Sequence, residues 1–475
     1  MLFHSTEFLP FFAIVFAAYW LLPWQSARTW VLLVASFYFY ATWNHWLALL
    51  IGVTSVGDYL IGRGMDATDS PGRRRGLLIF SLVMNLGLLA YFKYVNFFLD
   101  SLEASLHAAG TSVSLPTLQV ILPVGISFYT FEAINYTMDV YQKKVRAERN
   151  LAHFLLFITF FPHLVAGPIV RARHFLPQVA HFKRWNWCRL QWGVNLFVLG
   201  LFKKLVLADR MAEIVDPVFA APNSFNTGAV WLAFISYSVQ IYCDFSGYSD
   251  MAIGLAHMLG FKLGKNFNMP YAAVNISDFW RRWHISLSSW LRDYVFIPLG
   301  GSRGSRTQTC LNLLITMTLG GLWHGATWTF VLWGVVHGGL LVVHRLFQDF
   351  CSTRPALRAA LASPMEKGTC ILATFLAVSF AWVLFRAETF QVAWSVYYRL
   401  LVPSTGTGSP VDSRMIIYLW ILVWLAHVIG STRLWKVKPW TSWPSPVQGL
   451  AFASAVLVMV VLIPGNVKPF IYFQF

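Results

Sequence analysis

The chain has 475 residues, of which 57% are hydrophobic and 12% charged, with a mean hydropathy of +0.56; a soluble domain carries about 25% charged residues, so an ordinary water-soluble globule is excluded. Its 36 Lys and Arg against 20 Asp and Glu leave a net charge of +16. The basic residues gather in polar gaps between apolar runs, as in Arg73–Arg75, Lys143–Arg149 and Arg171–Arg189, which points to cytoplasmic loops of a membrane protein and away from nucleic acid.

Met1 to Glu7 lack the positive segment of a cleaved leader, and Arg28 follows the first apolar run, Phe8 to Leu22. That run is expected to be a retained first span with its N-terminus facing away from the cytoplasm. Further apolar stretches follow at Leu77 to Leu99, Leu190 to Ala208, Gly228 to Gly260, Leu311 to Val343, Thr369 to Phe385, Met415 to Gly430 and Val447 to Ile463. The longer ones are long enough for two passes, so the reading is an all-α, polytopic bundle of about nine to twelve spans. With no soluble insertion of domain size and no matching halves, residues 1–475 read as a single domain. The five cysteines show neither C-x-x-C spacing nor pairing with histidines, so no metal site is expected.

Between Asn266 and Gly304 the pattern changes, because charge interrupts the apolar run too often for a simple span. A helix capped by Ser277 or Asp278 would put Phe279, Trp280, Trp283, Leu287, Trp290, Leu291 and Tyr294 in one arc, with Arg281, Ser288 and Arg292 opposite. It would lie at the membrane surface or packed beneath it, ended by Pro298 and Gly300-Gly301. His284 falls at the edge of the apolar arc, where it can point into the bundle.

The next element, Leu319 to Phe330 (LGGLWHGATWTF), carries one ionisable side chain, His324, inside an uncharged run of spanning length. An ionisable group at that depth is costly and marks a functional candidate; the alternative is a neutral imidazole bonded to a neighbouring helix. Helical side chains lean toward the preceding turn, so His324 would lie over Gly320 and Gly321. With Gly325 these leave space for a substrate or for a close helix neighbour. An imidazole can accept a hydroxyl proton near neutral pH, which suits acyl transfer to an alcohol. His163, His257, His337, His344 and His427 each stand alone in apolar surroundings and read as structural. Asp244 and Asp250, in the run Cys243 to Asp250, are acidic groups in an apolar region that could orient a histidine or bind a helix terminus; a structural role is the reading for both. G-x-S-x-G, P-loop, H-E-x-x-H and Rossmann signatures are missing.

FWRRWHISLSSWLRDYVFIPLGG (Phe279 to Gly301) and GGLWHGATWTFVLWGVVHG (Gly320 to Gly338) together resemble the membrane-bound O-acyltransferases. LPVGISFYTFEAINYTMDVY (Leu122 to Tyr141), FFPHLVAGPIVR (Phe160 to Arg171), YCDFSGYSDMAIGLAHMLGF (Tyr242 to Phe261) and the closing FIYFQF are similar to the family's alginate O-acetyltransferase branch. The resemblance implies a helix bundle around a central tunnel, in the bacterial inner membrane, taking acetyl from acetyl-CoA at the cytoplasmic side. It implies that His324 is the essential histidine and that His284 supports it, by orienting it or by polarising the thioester carbonyl. Arg281, Arg282 and Arg303 become candidates for the CoA phosphates. The implied partners are a secreted acetyltransferase within a polysaccharide secretion complex, and membrane lipid. The acceptor is left open among alginate, peptidoglycan and cellulose, and a transporter or flippase in which both histidines line a path is the competing class.

Overall fold

The computed structural model describes residues 1–361, 363–432, 444–465 and 468–471, so the last four residues of the closing FIYFQF lie outside the described residues. The described residues fold as helices joined by turns, with one isolated bridge between Phe225 and Thr407 and no strand among them. Local chemistry sets many helix starts. Asn44, Asn150 and Ser305 each accept backbone N–H bonds at an N-terminus, and Ser70 does so ahead of Pro71, which satisfies donors that a helix start otherwise leaves open.

Among the described residues seven helices are long and apolar enough to cross a membrane: His45–Asp66, Pro71–Ala108, Trp187–Ala220, Trp328–Ser352, Met365–Arg386, Ser413–Ser431 and Ser445–Leu462. Phe8–Leu21 has 14 residues, about 21 Å of helix, short of the roughly 30 Å hydrocarbon layer. Gly228 to Gly260 forms one helix, Thr227–Met258, rather than two passes. Leu311 to Val343 does divide, into Arg306–His324 and Trp328–Ser352. Two of the long helices carry π-helical turns, Ala90–Tyr94 and Phe202–Ala208.

The chain forms two compact units. The first comprises Met1–Phe197 and Ser249–Gly264, the second Val198–Tyr248 and Lys265–Phe475. In the first, helix His45–Asp66 turns Leu49, Val53 and Leu60 outward and buries Asp58. Ser81 Oγ (2.7 Å) and Asn85 Nδ2 (2.9 Å) donate to that carboxylate. Apolar outside and polar inside is the arrangement that lipid solvation demands.

Two stretches singled out in the sequence meet in this unit. Glu132 of helix Ile126–Tyr141 pairs with His163 Nδ1 at 3.2 Å and accepts the Val170 N–H at 2.9 Å, while Asn135 donates to the Val170 carbonyl at 2.9 Å. Glu132 and Asn135 thereby fasten Phe160 to Arg171 onto Leu122 to Tyr141. In the second unit, helices Arg306–His324 and Trp328–Ser352 form a hairpin backed by Pro364–Arg386, with the broken segment Ile276–Leu291 laid against them.

Candidate active site

His324 is the last residue of its helix. Gly325 leaves in an extended conformation (φ −157°, ψ 152°), Thr327 starts the next helix, and the chain folds back. The two helices touch by backbone: a Cβ on Gly321 would fall on the Phe330 carbonyl oxygen, and one on Gly334 would fall on the carbonyl of Met317. Small residues permit that approach. Of the two readings for the glycine-lined space, the close neighbour is realised, since Phe330 covers Gly325 and Leu291 comes within 3.1 Å of a Cβ at Gly320.

The helix expected to run unbroken from Ser277 or Asp278 is instead capped by Asn275, whose side chain accepts the Asp278 N–H (2.8 Å), and it breaks at His284. His284 has φ 42° and ψ 56°, the left-handed region that side chains rarely adopt. The cause lies in residues 266–268. The Asn266 carbonyl takes the Ile285 N–H (2.9 Å), Asn266 Oδ1 takes the Ser286 N–H (3.2 Å), and the Asn268 N–H donates to the Arg282 carbonyl (2.9 Å). The groups a continuous helix would pair four residues apart are captured by this neighbouring segment, which offsets the strain at His284.

Asn266 also fixes the tautomer. Its side-chain atom facing the Ser286 N–H must be the acceptor oxygen, so His284 Nδ1, 3.1 Å from the same atom, donates. The lone pair of this ring then sits on Nε2. Burial pushes the His284 pKa down to about 3, so the imidazole is neutral at physiological pH.

The structure brings the two predicted histidines together. Their ring centroids lie 6.5 Å apart, both rings contact Trp323 (5.9 Å from His284, 4.9 Å from His324), and both residues are buried. Trp333 (5.1 Å) and Phe385 (5.2 Å) close on His324, and Phe245 stands edge-on to His284 at 4.6 Å. His337, read from sequence as an isolated structural histidine, lies 4.6 Å from Trp333 and 5.1 Å from Trp280, so it belongs to the same aromatic wall. Asn266, Phe245, Trp333 and Phe385 went unrecognised in the sequence.

The candidate cations are not part of this box. Arg281 and Arg303 are exposed, and Arg282 pairs with Asp278 at 2.9 Å. A cavity of about 520 Å³, within the usual range for small-molecule sites, opens beside the start of helix Ile276–Arg282, lined by Val274, Asn275, His344, Phe347, Gln348 and Lys367 among others. Among the described residues no group of three or more His, Cys, Asp or Glu side chains is placed to hold a metal ion.

A profile of the membrane-bound O-acyltransferase family matches residues 5–381. The chain is 38% identical to a probable alginate O-acetylase of Azotobacter vinelandii over the whole of both chains. It is 39% identical to a peptidoglycan O-acetyltransferase of Helicobacter pylori, over 77% of this chain and 72% of that one. A teichoic acid D-alanyltransferase of Bacillus subtilis shares 29% identity over 58% of this chain and 71% of its own. With seven apolar helices of spanning length among its described residues, a buried histidine pair and this match across most of its length, the chain is an integral, multi-pass membrane acyltransferase that belongs to the membrane-bound O-acyltransferase family.

Proposed function

We propose that the protein is an O-acetyltransferase of the bacterial inner membrane that takes acetyl from acetyl-CoA at the cytoplasmic side and passes it to polysaccharide hydroxyls outside. Alginate-type polymer is the favoured acceptor, reached directly or through a secreted acetyltransferase of a polysaccharide secretion complex. The observation that carries this reading is the His284–His324 pair, 6.5 Å apart inside an aromatic box, in a chain of this family. The names of the Azotobacter and Helicobacter relatives support acetyl as the acyl group and a polysaccharide as the destination.

In this mechanism His324 accepts the proton of the acceptor hydroxyl as the oxygen attacks the thioester carbonyl. The C–O bond forms, the C–S bond breaks, and the proton passes from the imidazolium to the departing thiolate. The ring wall of Trp323, Trp333 and Phe385 excludes water that would otherwise hydrolyse the thioester. His284, neutral and tied through Nδ1–H to Asn266, acts as a positioning residue behind Trp323. The exposed Arg281 and Arg303, the part-buried Arg282 beside Asp278, and the cavity lined by His344 and Lys367 receive the anionic end of the donor.

Purified protein in lipid nanodiscs, given radiolabelled acetyl-CoA and acceptor, tests this directly. Acetyl transfer that His324→Ala abolishes supports the reading; full turnover in that variant, or substrate movement without consumption of acetyl-CoA, overturns it.

A further inference from the structure

In the second unit a cluster of buried charges lies outside the box just described. Lys204 sits in the π-helical turn Phe202–Ala208, and its Nζ lies 2.8 Å from both Asp209 and Asp244; all three residues are buried. The helices carrying Lys204 and Asp244 cross where a Cβ on Gly247 would come within 2.8 Å of the Gly200 carbonyl oxygen. Lys204 is one turn beyond Gly200, and Asp244 is nearly one turn before Gly247. The close crossing and the extra residue in the turn, a feature frequent at functional sites, together aim the ammonium at the carboxylate.

Burying three charged groups has a high desolvation cost, and replacing such a trio by apolar residues of similar volume is often neutral or stabilising. What the charges do beyond packing is hold the chain's last described residues. Lys204 donates to the Pro469 carbonyl (3.4 Å), Asp244 accepts the Ile471 N–H (2.7 Å), and Lys468 pairs with Asp216 (2.9 Å), which also pairs with Arg386 (3.0 Å). Arg210 reaches the Leu462 carbonyl at 3.2 Å. Backbone bonds to fixed charges specify the register of residues 468–471, where apolar contacts alone would let them slide.

That register places Phe470 flat on Tyr248 (4.5 Å between centroids, 25° between planes) and 5.9 Å from Phe245. Phe245 is the ring standing edge-on to His284. We propose that Lys204, Asp209 and Asp244 form an ionic clamp that docks the terminal segment 468–471 behind the active site, with Phe470 as a positioning residue that backs the Phe245 ring and thereby His284. The proposal rests on the histidine pair being the reaction centre, as argued above.

Two variants and two readouts test it in nanodiscs. Lys204→Met/Asp209→Asn/Asp244→Leu removes every charge of the clamp together, leaving no isolated buried ion, and Phe470→Ala removes the stacked ring while leaving all charges in place. Hydrogen exchange at the peptide containing Ile471 reads docking without reference to any reaction, and steady-state kinetics read its consequence. The expected result is protection in the parent protein, its loss in the triple variant, and in both variants a fall in kcat of roughly 10- to 100-fold with the donor KM unchanged, the size expected for a displaced catalytic geometry. A triple variant that keeps the Ile471 amide protected, or a Phe470→Ala protein with parental kcat, overturns the clamp. A parent protein with a protected tail and no acyl transfer would instead overturn the proposed function and leave the docking intact.

Discussion

Two buried histidines, one in each unit, stand in contrasting surroundings. His163 faces a carboxylate, Glu132, at 3.2 Å, and that carboxylate also holds the Val170 N–H. His324 faces the rings of Trp323, Trp333, Phe385 and His284. Both stand in apolar sequence, in FFPHLVAG and GGLWHGAT. The difference teaches that an imidazole bound to a carboxylate which also secures a backbone amide acts as a rivet between segments, whereas one packed among ring edges has its orientation set by the shape of the wall around it.

The widest separation between the two is expected from alanine. His324→Ala should reduce acetyl transfer by about 10²- to 10⁴-fold, the usual contribution of a general base, in protein that still folds. His163→Ala should act mainly on stability. Equal effects of both substitutions on kcat, measured in the radiolabel assay, would erase the contrast.

Glu132→Ala comes next. It leaves His163 and the Val170 N–H without their buried acceptor and should destabilise the protein by about 2–6 kcal/mol, at roughly 1–3 for each of the two groups. Glu132→Gln, which can still accept from Val170, should cost visibly less. Thermal unfolding of detergent-solubilised protein separates the two variants, and identical midpoints would mean that the carboxylate is no rivet.

An acid effect of intermediate size is expected from His284. Its pKa lies near 3 in the fold, below the ordinary value of 6.5, so between those limits the unfolded chain binds a proton that the folded one does not. Its contribution to stability is intact above about pH 6.5 and declines as the pH falls. Acidification from pH 7 to pH 5 should therefore remove about 2 kcal/mol through this residue. His284→Asn, chosen because asparagine tolerates a positive φ, should flatten that part of the pH dependence. An unchanged slope in the variant would show that His284 is not buried as a neutral ring.

Asn266→Ala should have the smallest effect on stability, about 1–2 kcal/mol from losing the side-chain acceptor of Ser286 and His284. The same change should lower kcat more than it raises any KM, because it frees the His284 turn. Stopped-assay kinetics with varied donor would show a KM-only effect if Asn266 served binding instead.

Much of this was legible in the sequence, and the reason is physical. Long apolar runs have few solutions other than spanning helices, and a single ionisable group among glycines at Leu319 to Phe330 stands out because burial makes it costly. The break at His284 was illegible because it depends on Asn266 and Asn268 replacing helix bonds from another segment, and an apolar arc looks the same whether the helix is whole or broken. Glu132 with His163 and Lys204 with Asp244 are joined across 31 and 40 residues of chain, so no local pattern announces either pair. Asp244 does hold structure, but by accepting the Ile471 N–H from 227 residues away, which no local pattern shows.

The backbone contact at Gly321 and Gly334 bears on how such an enzyme would change the size of the group it transfers. With two helices pressed together along their spines, the helix end bearing His324 has no slack to retreat, so a bulkier acyl chain must find room on the opposite side. Redesign for longer donors should therefore carve Phe385 or Trp333 and leave the glycine seam intact. Any side chain introduced at the seam would pry the hairpin apart and carry the imidazole away from its target.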